Sequence, residues 1–142
     1  DDFEWVEGAK ESIKYLNNKG YYVFVATNQS GIARGYYSEK DIILLHEYIS
    51  NELKKISAFI DEFFFSPYHP DNTKEFLHLS HLRKPDTGML DLAASKWPID
   101  KSRSFLVGDK DTDIECAEKF SIRGHLFVDG NLLDFIKLSE NI

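Results

Sequence analysis

The chain has 142 residues, a length that fits one domain, and at 42% hydrophobic and 14% aromatic residues it is too apolar to be disordered. Its formal net charge of -7 argues against a basic nucleic-acid footprint, and its one cysteine, Cys116, rules out an intrachain disulfide. The apolar runs fall well short of the roughly 18 residues of a membrane span, so a cytoplasmic, reducing setting with no membrane partner is expected.

In chain order, Val6, Ala9, Ile13 and Leu16 recur at three- and four-residue steps and predict an amphipathic helix over 6–18, ended by Gly20. The run 21-YYVFVA-26 predicts a strand buried on both faces. A polar, glycine-containing segment follows, 27-TNQSGIARG-35. Ser38 is placed to cap a helix that carries Ile42, Leu45, Ile49, Leu53 and Ile56 on one stripe. A second strand is predicted near 59-FIDEFFF-65. Residues 66–85, with three prolines and three histidines, predict a long loop. Asp86 is placed to cap a helix ending about Lys96. The run 104-SFLV-107 predicts a third strand, which leads into 108-GDKDTD-113. Ile114, Ala117 and Phe120 mark another helix, 124-GHLFV-128 a last strand, and Asn131 the start of a closing helix. Strict alternation of apolar strands with amphipathic helices implies an α/β fold: a parallel sheet with helices on both faces. Ligands of such sheets sit at the carboxyl ends of the strands, where 27-TNQSG-31 and 108-GDKDTD-113 both fall.

Three groups of residues carry chemistry. Thr27, Asn28, Gln29 and Ser30 offer hydroxyls, amides and backbone N–H groups, and Gly31 allows close approach, which suits a phosphate oxygen. Taken alone, this reads as an ordinary polar turn. Lys84 is a point charge able to neutralise a phosphoryl group, and Arg83 beside it can fork onto a second anion; taken alone, two adjacent surface cations are common. Asp109 follows a strand-ending glycine and suits a hard cation such as Mg²⁺, which takes a few carboxylate oxygens and keeps several waters. The competing role for Asp109 is to cap the next helix. Asp111 or Thr112 could do that instead, leaving Asp109 free, with Asp113 within reach of Lys110 or a bound water. The three together, on successive strand ends, favour phosphate plus metal over coincidence.

In that order, the segments resemble the haloacid dehalogenase (HAD) superfamily: Thr27 matches its motif II threonine, Lys84 its motif III lysine and Asp109 its motif IV acid. The longer strings TNQSGIARG, RKPDTGML and VGDKDTDIECA are similar to the D-glycero-D-manno-heptose 1,7-bisphosphate phosphatases, with the histidinol phosphatases as near relatives. The resemblance spans nearly the whole chain. It implies that Thr27 and Lys84 stabilise the transferring phosphoryl group and that Asn28, Gln29, Ser30 and Arg83 contact substrate. Lys110 would face the phosphate side, Arg34 the substrate's remote end, and Asp109 would ligate Mg²⁺ with Asp113 behind it. The implied reaction is attack by an aspartate on a phosphate monoester, then hydrolysis of the aspartyl-phosphate.

Two departures bear on this expectation. The family's motif I, DxDGT, supplies the nucleophile from the central strand and is not found in these 142 residues. The expected fold is therefore a HAD-like Rossmannoid three-layer α/β/α domain over 1–142, N-terminally incomplete, with the first, central strand missing from this chain. Its family strand order would run 3-2-gap-4-5, and these residues alone should show no phosphatase activity. The heptose enzymes also usually carry a structural zinc held by Cys-x-His and Cys-x-Cys. Here Ser66, Tyr68, Ser80 and Leu82 stand at those positions, so no structural zinc is expected, and His69, His78 and His81 read as solvated loop residues. Cys116, Trp5 and Trp97 read as packing residues, and 63-FFF-65 as buried strand. The expected function is a monomeric Mg²⁺-dependent phosphatase acting on a small phosphorylated substrate, heptose 1,7-bisphosphate. The alternatives are a histidinol-phosphate phosphatase, or an inactive domain that only binds a phosphorylated ligand.

Overall fold

The periodicities of the sequence become helices and strands close to their expected places in a computed structural model, which describes residues 3–71 and 75–141. Helix α1 spans Ala9–Asn18, and Gly20 follows at φ 85°, a left-handed conformation that glycine takes without strain. Strand β1 is Phe24–Asn28, shifted toward the C-terminus of the run 21–26. Pairing sets this shift: the Asp61 N–H to Val23 oxygen bond (2.8 Å) is the first rung with the neighbouring strand and the Gln29 N–H to Ser66 oxygen bond (2.7 Å) the last. Helix α2 spans Glu39–Lys54 and starts at Ser38 as expected. Ser38 Oγ accepts from the Asp41 N–H and the Asp41 carboxylate accepts from the Ser38 N–H, a reciprocal cap. Its stripe buries Ile42, Ile49 and Leu53, but Ile56 lies past the helix end and is exposed.

Strand β2, Glu62–Ser66, pairs parallel with β1, in register from Phe24 opposite Glu62 to Asn28 opposite Ser66. The expected long loop holds a 3-10 helix, Leu77–Leu82, that drives Leu82 against Phe64, Met89 and Ala93. Helix α3 spans Gly88–Lys96 and begins later than a cap at Asp86 would place it. Thr87 holds the cap position and its hydroxyl donates to Asp91. After a 3-10 turn at Lys101–Arg103 come strand β3, Phe105–Gly108, helix α4, Asp111–Phe120, strand β4, Arg123–Leu126, and helix α5, Leu132–Ser139, which Asn131 caps through the Asp134 N–H. Strands β3 and β4 pair parallel from Phe105 opposite Arg123 to Gly108 opposite Leu126.

Helices lie on both faces. Phe63 packs with Ile49, Leu53 and Ile13 of α2 and α1, while the next residue, Phe64, packs with Met89 and Ala93 of α3, the alternation of a strand buried on both sides. Helix α1 packs on α5, and α4 packs on β3 and β4. The strands form two separate two-stranded sheets, β1-β2 and β3-β4, and β1 does not pair with β3. Between them lies a cavity of about 860 Å³. This is the gap expected between the second and fourth strands of the family order. Trp97 donates to Glu62 (2.9 Å), and Cys116 is buried with its thiol donating to the Asp86 oxygen, so both serve packing. Among the described residues no helix is long and apolar enough to cross a membrane.

Two measurements check this core. Leu53 is fully buried, so Leu53→Ala should cost about 2–5 kcal/mol in urea unfolding. His46 stacks on Phe63 with ring centroids 4.1 Å apart, and burial holds its imidazole below the ordinary histidine pKa. The unfolded chain therefore takes up that proton first, and stability falls as pH drops below about 6.5. His46→Phe keeps the stack and should flatten that part of the pH dependence of the unfolding midpoint.

Candidate active site

Lys84 organises the strand ends. It leaves the 3-10 helix after Arg83, and its Nζ lies 2.5 Å from Asp113 Oδ1 and 2.8 Å from the Ala26 carbonyl oxygen. Both side chains of the ion pair are nearly buried, at 13% and 6% exposure. Asn28, the last residue of β1, fixes the backbone of Lys84 from both sides: Oδ1 accepts the Lys84 N–H (2.9 Å) and Nδ2 donates to the Lys84 oxygen (3.2 Å). Strand β1, the segment carrying Lys84 and helix α4 are thereby brought together.

Asp113 has a second duty. Its Oδ2 accepts the Lys110 N–H (3.1 Å) and closes the first turn of α4. The cap expected from Asp111 or Thr112 comes instead from Asp113. Its carboxylate lies where a Cβ of Gly108 would stand, so β3 must end in glycine for the acid to reach both partners. Asp109, one residue on, is exposed and joins no ion pair or side-chain hydrogen bond among the described residues. Lys110 is exposed at the start of α4, and no ion pair joins its ammonium to the others among the described residues.

The donor set fits Mg²⁺ in part. The ion needs only one or two carboxylates beside waters and substrate phosphate oxygens, and the exposed Asp109 carboxylate is such a donor. Asp113 has both oxygens in use, one on Lys84 and one on the Lys110 N–H. Among the described residues no group of three or more histidine, cysteine or carboxylate side chains is placed to hold a metal. Cys116 is not a nucleophile candidate, because burial pushes its thiol above the ordinary cysteine pKa.

The turn after β1 is held from within. Gln29 Nε2 donates to Thr27 Oγ1 (3.2 Å), and Gln29 Oε1 accepts from the Tyr37 hydroxyl (2.6 Å). The Tyr37 ring fills the space where Gly31 would carry a Cβ. The amides of Asn28 and Gln29, expected to face substrate, therefore hold Lys84 and the turn in this structure. The hydroxyls of Thr27 and Ser30 remain nearest to the expected role, with Thr27 donating only a long bond (3.5 Å) to the Asn28 oxygen. Tyr37 was not singled out by any spacing, since its partner is set by the fold of the turn.

The two arginines converge on one segment. Arg83 Nη1 donates to the Tyr68 oxygen (3.3 Å), and Arg34 meets the ring of His69, whose Nδ1 accepts the Asp71 N–H (3.1 Å). His69 is therefore buried rather than solvated as expected, because the Arg34 guanidinium and the 69–71 backbone close over it. His78 and His81 are exposed. Ser66, at one of the positions of the family's usual zinc ligands, is fully buried with an unpartnered hydroxyl.

A family model described as Polynucleotide kinase 3 phosphatase matches residues 1–129. The D-glycero-beta-D-manno-heptose-1,7-bisphosphate 7-phosphatase of Rhodopseudomonas palustris is 40% identical over 134 residues, covering 94% of this chain and 74% of that protein. The enzyme of the same name from Haemophilus ducreyi is 36% identical, covering 90% and 71%. Among solved structures, the D,D-heptose 1,7-bisphosphate phosphatase of B. bronchiseptica, complexed with magnesium and phosphate, superposes with a TM-score of 0.76 at 27% identity, covering 92% of this chain and 70% of that one. A HAD-like phosphatase of Mesorhizobium loti superposes with a TM-score of 0.77 at 31% identity, and this chain spans 58% of its length. Likeness in sequence and in backbone runs across both half-sheets and the loops at their carboxyl ends. The chain therefore belongs to the HAD-like phosphatases, in the family of the D-glycero-D-manno-heptose-1,7-bisphosphate 7-phosphatases.

Proposed function

We propose that these residues form most of a Mg²⁺-dependent phosphatase site that removes the 7-phosphate of D-glycero-D-manno-heptose 1,7-bisphosphate. The observation that carries this reading is the fixed ammonium of Lys84 at the strand ends beside the exposed Asp109. An ammonium has three N–H donors. Two go to Asp113 and the Ala26 oxygen, and the third is left for a phosphoryl oxygen. The ammonium is already desolvated and oriented, so it needs no rearrangement as negative charge shifts in the transition state. Thr27 adds a hydroxyl to the same oxygens, and Lys110 stands on the phosphate side. Asp109 is the carboxylate that would hold Mg²⁺, and a bound Mg²⁺ would neutralise charge on the phosphoryl oxygens. The attacking aspartate is assigned to no residue of this chain.

The arginines favour a bisphosphate over histidinol phosphate. Arg34 and Arg83 place two guanidiniums around residues 68–69, and a second phosphate suits them. Histidinol phosphate would instead bring its ammonium there, against like charge.

A phosphate-release screen on the gene product containing these residues tests the reading. With Mg²⁺, heptose 1,7-bisphosphate should turn over at least about tenfold faster than histidinol phosphate, and chelation should abolish both rates; equal turnover defeats the assignment. The ion pair makes a second prediction. Lys84→Met strands the buried Asp113 charge and should cost about 3–5 kcal/mol in urea unfolding. Adding Asp113→Asn should recover most of that stability and none of the phosphate release.

A further inference from the structure

We propose that Tyr37 is a positioning residue for the phosphoryl group: its hydroxyl, acting through the Gln29 amide, keeps the Thr27 hydroxyl proton free for a phosphoryl oxygen. The inference rests on the phosphatase reading above and adds to it a residue that lies ten positions beyond Thr27 in the chain.

The turn after β1 folds back on itself and brings Tyr37 to its own start. The Ile32 N–H bonds the Gln29 oxygen (3.1 Å), the Arg34 N–H the Ser30 oxygen (3.1 Å) and the Tyr36 N–H the Gly31 oxygen (2.8 Å). Ser38 then caps α2, so Tyr37 is held between the turn and the helix. Tyr36 leaves the fold at 73% exposure, while Tyr37 is half-buried with its ring against Gly31. The backbone of Gln29 is pinned as well, because its N–H bonds the Ser66 oxygen of β2 (2.7 Å). Its side-chain amide therefore sits at a fixed place between two hydroxyls, those of Tyr37 and Thr27.

An amide between two hydroxyls can lie either way round. In one arrangement Tyr37 donates to Oε1 and Nε2 donates to Thr27. Turned over, Nε2 donates to Tyr37 and Oε1 takes the Thr27 proton. The two are not equal in energy. A phenol, with a pKa of about 10, is far more acidic than an aliphatic alcohol and is the better donor. Its oxygen, conjugated with the ring, is the poorer acceptor. The first arrangement is thus favoured, and it is the one present: the Tyr37 hydroxyl donates to Gln29 Oε1 (2.6 Å) and Nε2 donates to Thr27 Oγ1 (3.2 Å). Tyr37 is the only partner of Oε1 among the described residues.

The consequence falls on Thr27. A threonine hydroxyl has one proton and two lone pairs. The amide takes a lone pair, and the proton meets only the Asn28 oxygen, at 3.5 Å, among the described residues. A phosphoryl oxygen would collect that proton at the loss of one weak contact. With the amide turned over, the proton would be held by Gln29, and the hydroxyl would offer lone pairs to an anion.

A double-mutant comparison in the gene product containing these residues tests this. Tyr37→Phe removes the phenol hydroxyl and keeps the ring beside Gly31. Thr27→Val removes the hydroxyl whose proton is at stake and keeps its shape. The probe is inorganic phosphate with Mg²⁺, its affinity measured by titration. With Thr27 in place, Tyr37→Phe should weaken phosphate about fivefold, and in the Thr27→Val background the same change should alter affinity by less than about twofold. kcat on heptose 1,7-bisphosphate should follow the same pattern. No loss with Thr27 in place, or an equal loss in both backgrounds, as a packing role alone would give, overturns the proposal. The substrate assignment is judged separately. Coupling in phosphate affinity without turnover of heptose 1,7-bisphosphate sustains the role of Tyr37 and defeats that assignment. Turnover without coupling defeats the role of Tyr37 alone, and a parent protein that binds no phosphate defeats both.

Discussion

One buried ammonium joins the two halves of this molecule. Lys84 reaches the Ala26 carbonyl in one half-sheet and the Asp113 carboxylate against the other, and Asn28 pins its backbone while it does so. A charge with so little exposure is tolerable only when its donors are matched, and here two acceptors are fixed by separate elements. Asp113 reaches Lys84 and still caps α4 because β3 ends in Gly108. The end of one strand, the start of one helix and the position of the cation thus depend on each other.

The same arrangement explains why the fold holds at the top of the gap and the bottom but carries a cavity between. At the bottom, Tyr15 and Tyr21 hydrogen-bond to Glu140 and Lys19 pairs with it, which ties α1 and the approach to β1 to the end of α5. At the top is the Lys84 pair. In the middle the two sheets have helices on either side and no ladder across. Each half has its own packing: Phe64, Leu82, Met89 and Ala93 under β1 and β2, and Ala117 against Gly124 under β3 and β4.

What the sequence shows and what it hides divide along one physical line. Caps and periodicities are local, and Ser38, Asn131 and the apolar runs at 21–26 and 104–107 are legible because their partners lie within a few residues. Thr27, Lys84 and Asp109 are legible by position in motifs at strand ends. The clamp of Asn28 on Lys84, the burial of His69 under Arg34 and the bond from Tyr37 to Gln29 are not, because each depends on where distant loops land. Asn28 and Gln29 look like ligand donors in the sequence for the same reason that they serve well here: an amide offers a donor and an acceptor, and the fold can use both before any ligand arrives.

The net charge of -7 carries the same lesson at larger scale. It argues against a polyanion that would lie along the whole surface, yet it says little about one small cleft. Arg34, Arg83, Lys84 and Lys110 all lie on segments that follow a strand or approach its carboxyl end, while much of the acid sits elsewhere, as in Glu52, Glu62, Asp100 and Glu140. Of the four cations, Lys84 alone is held by a carboxylate inside the site among the described residues. That difference fits two roles. A cation already paired and buried suits the reacting phosphoryl group, where fixed orientation matters most. In the proposed reaction, guanidiniums resting on the Tyr68 carbonyl and the His69 ring would give up weaker partners to an anion, which suits the end of the substrate that is held and not cut.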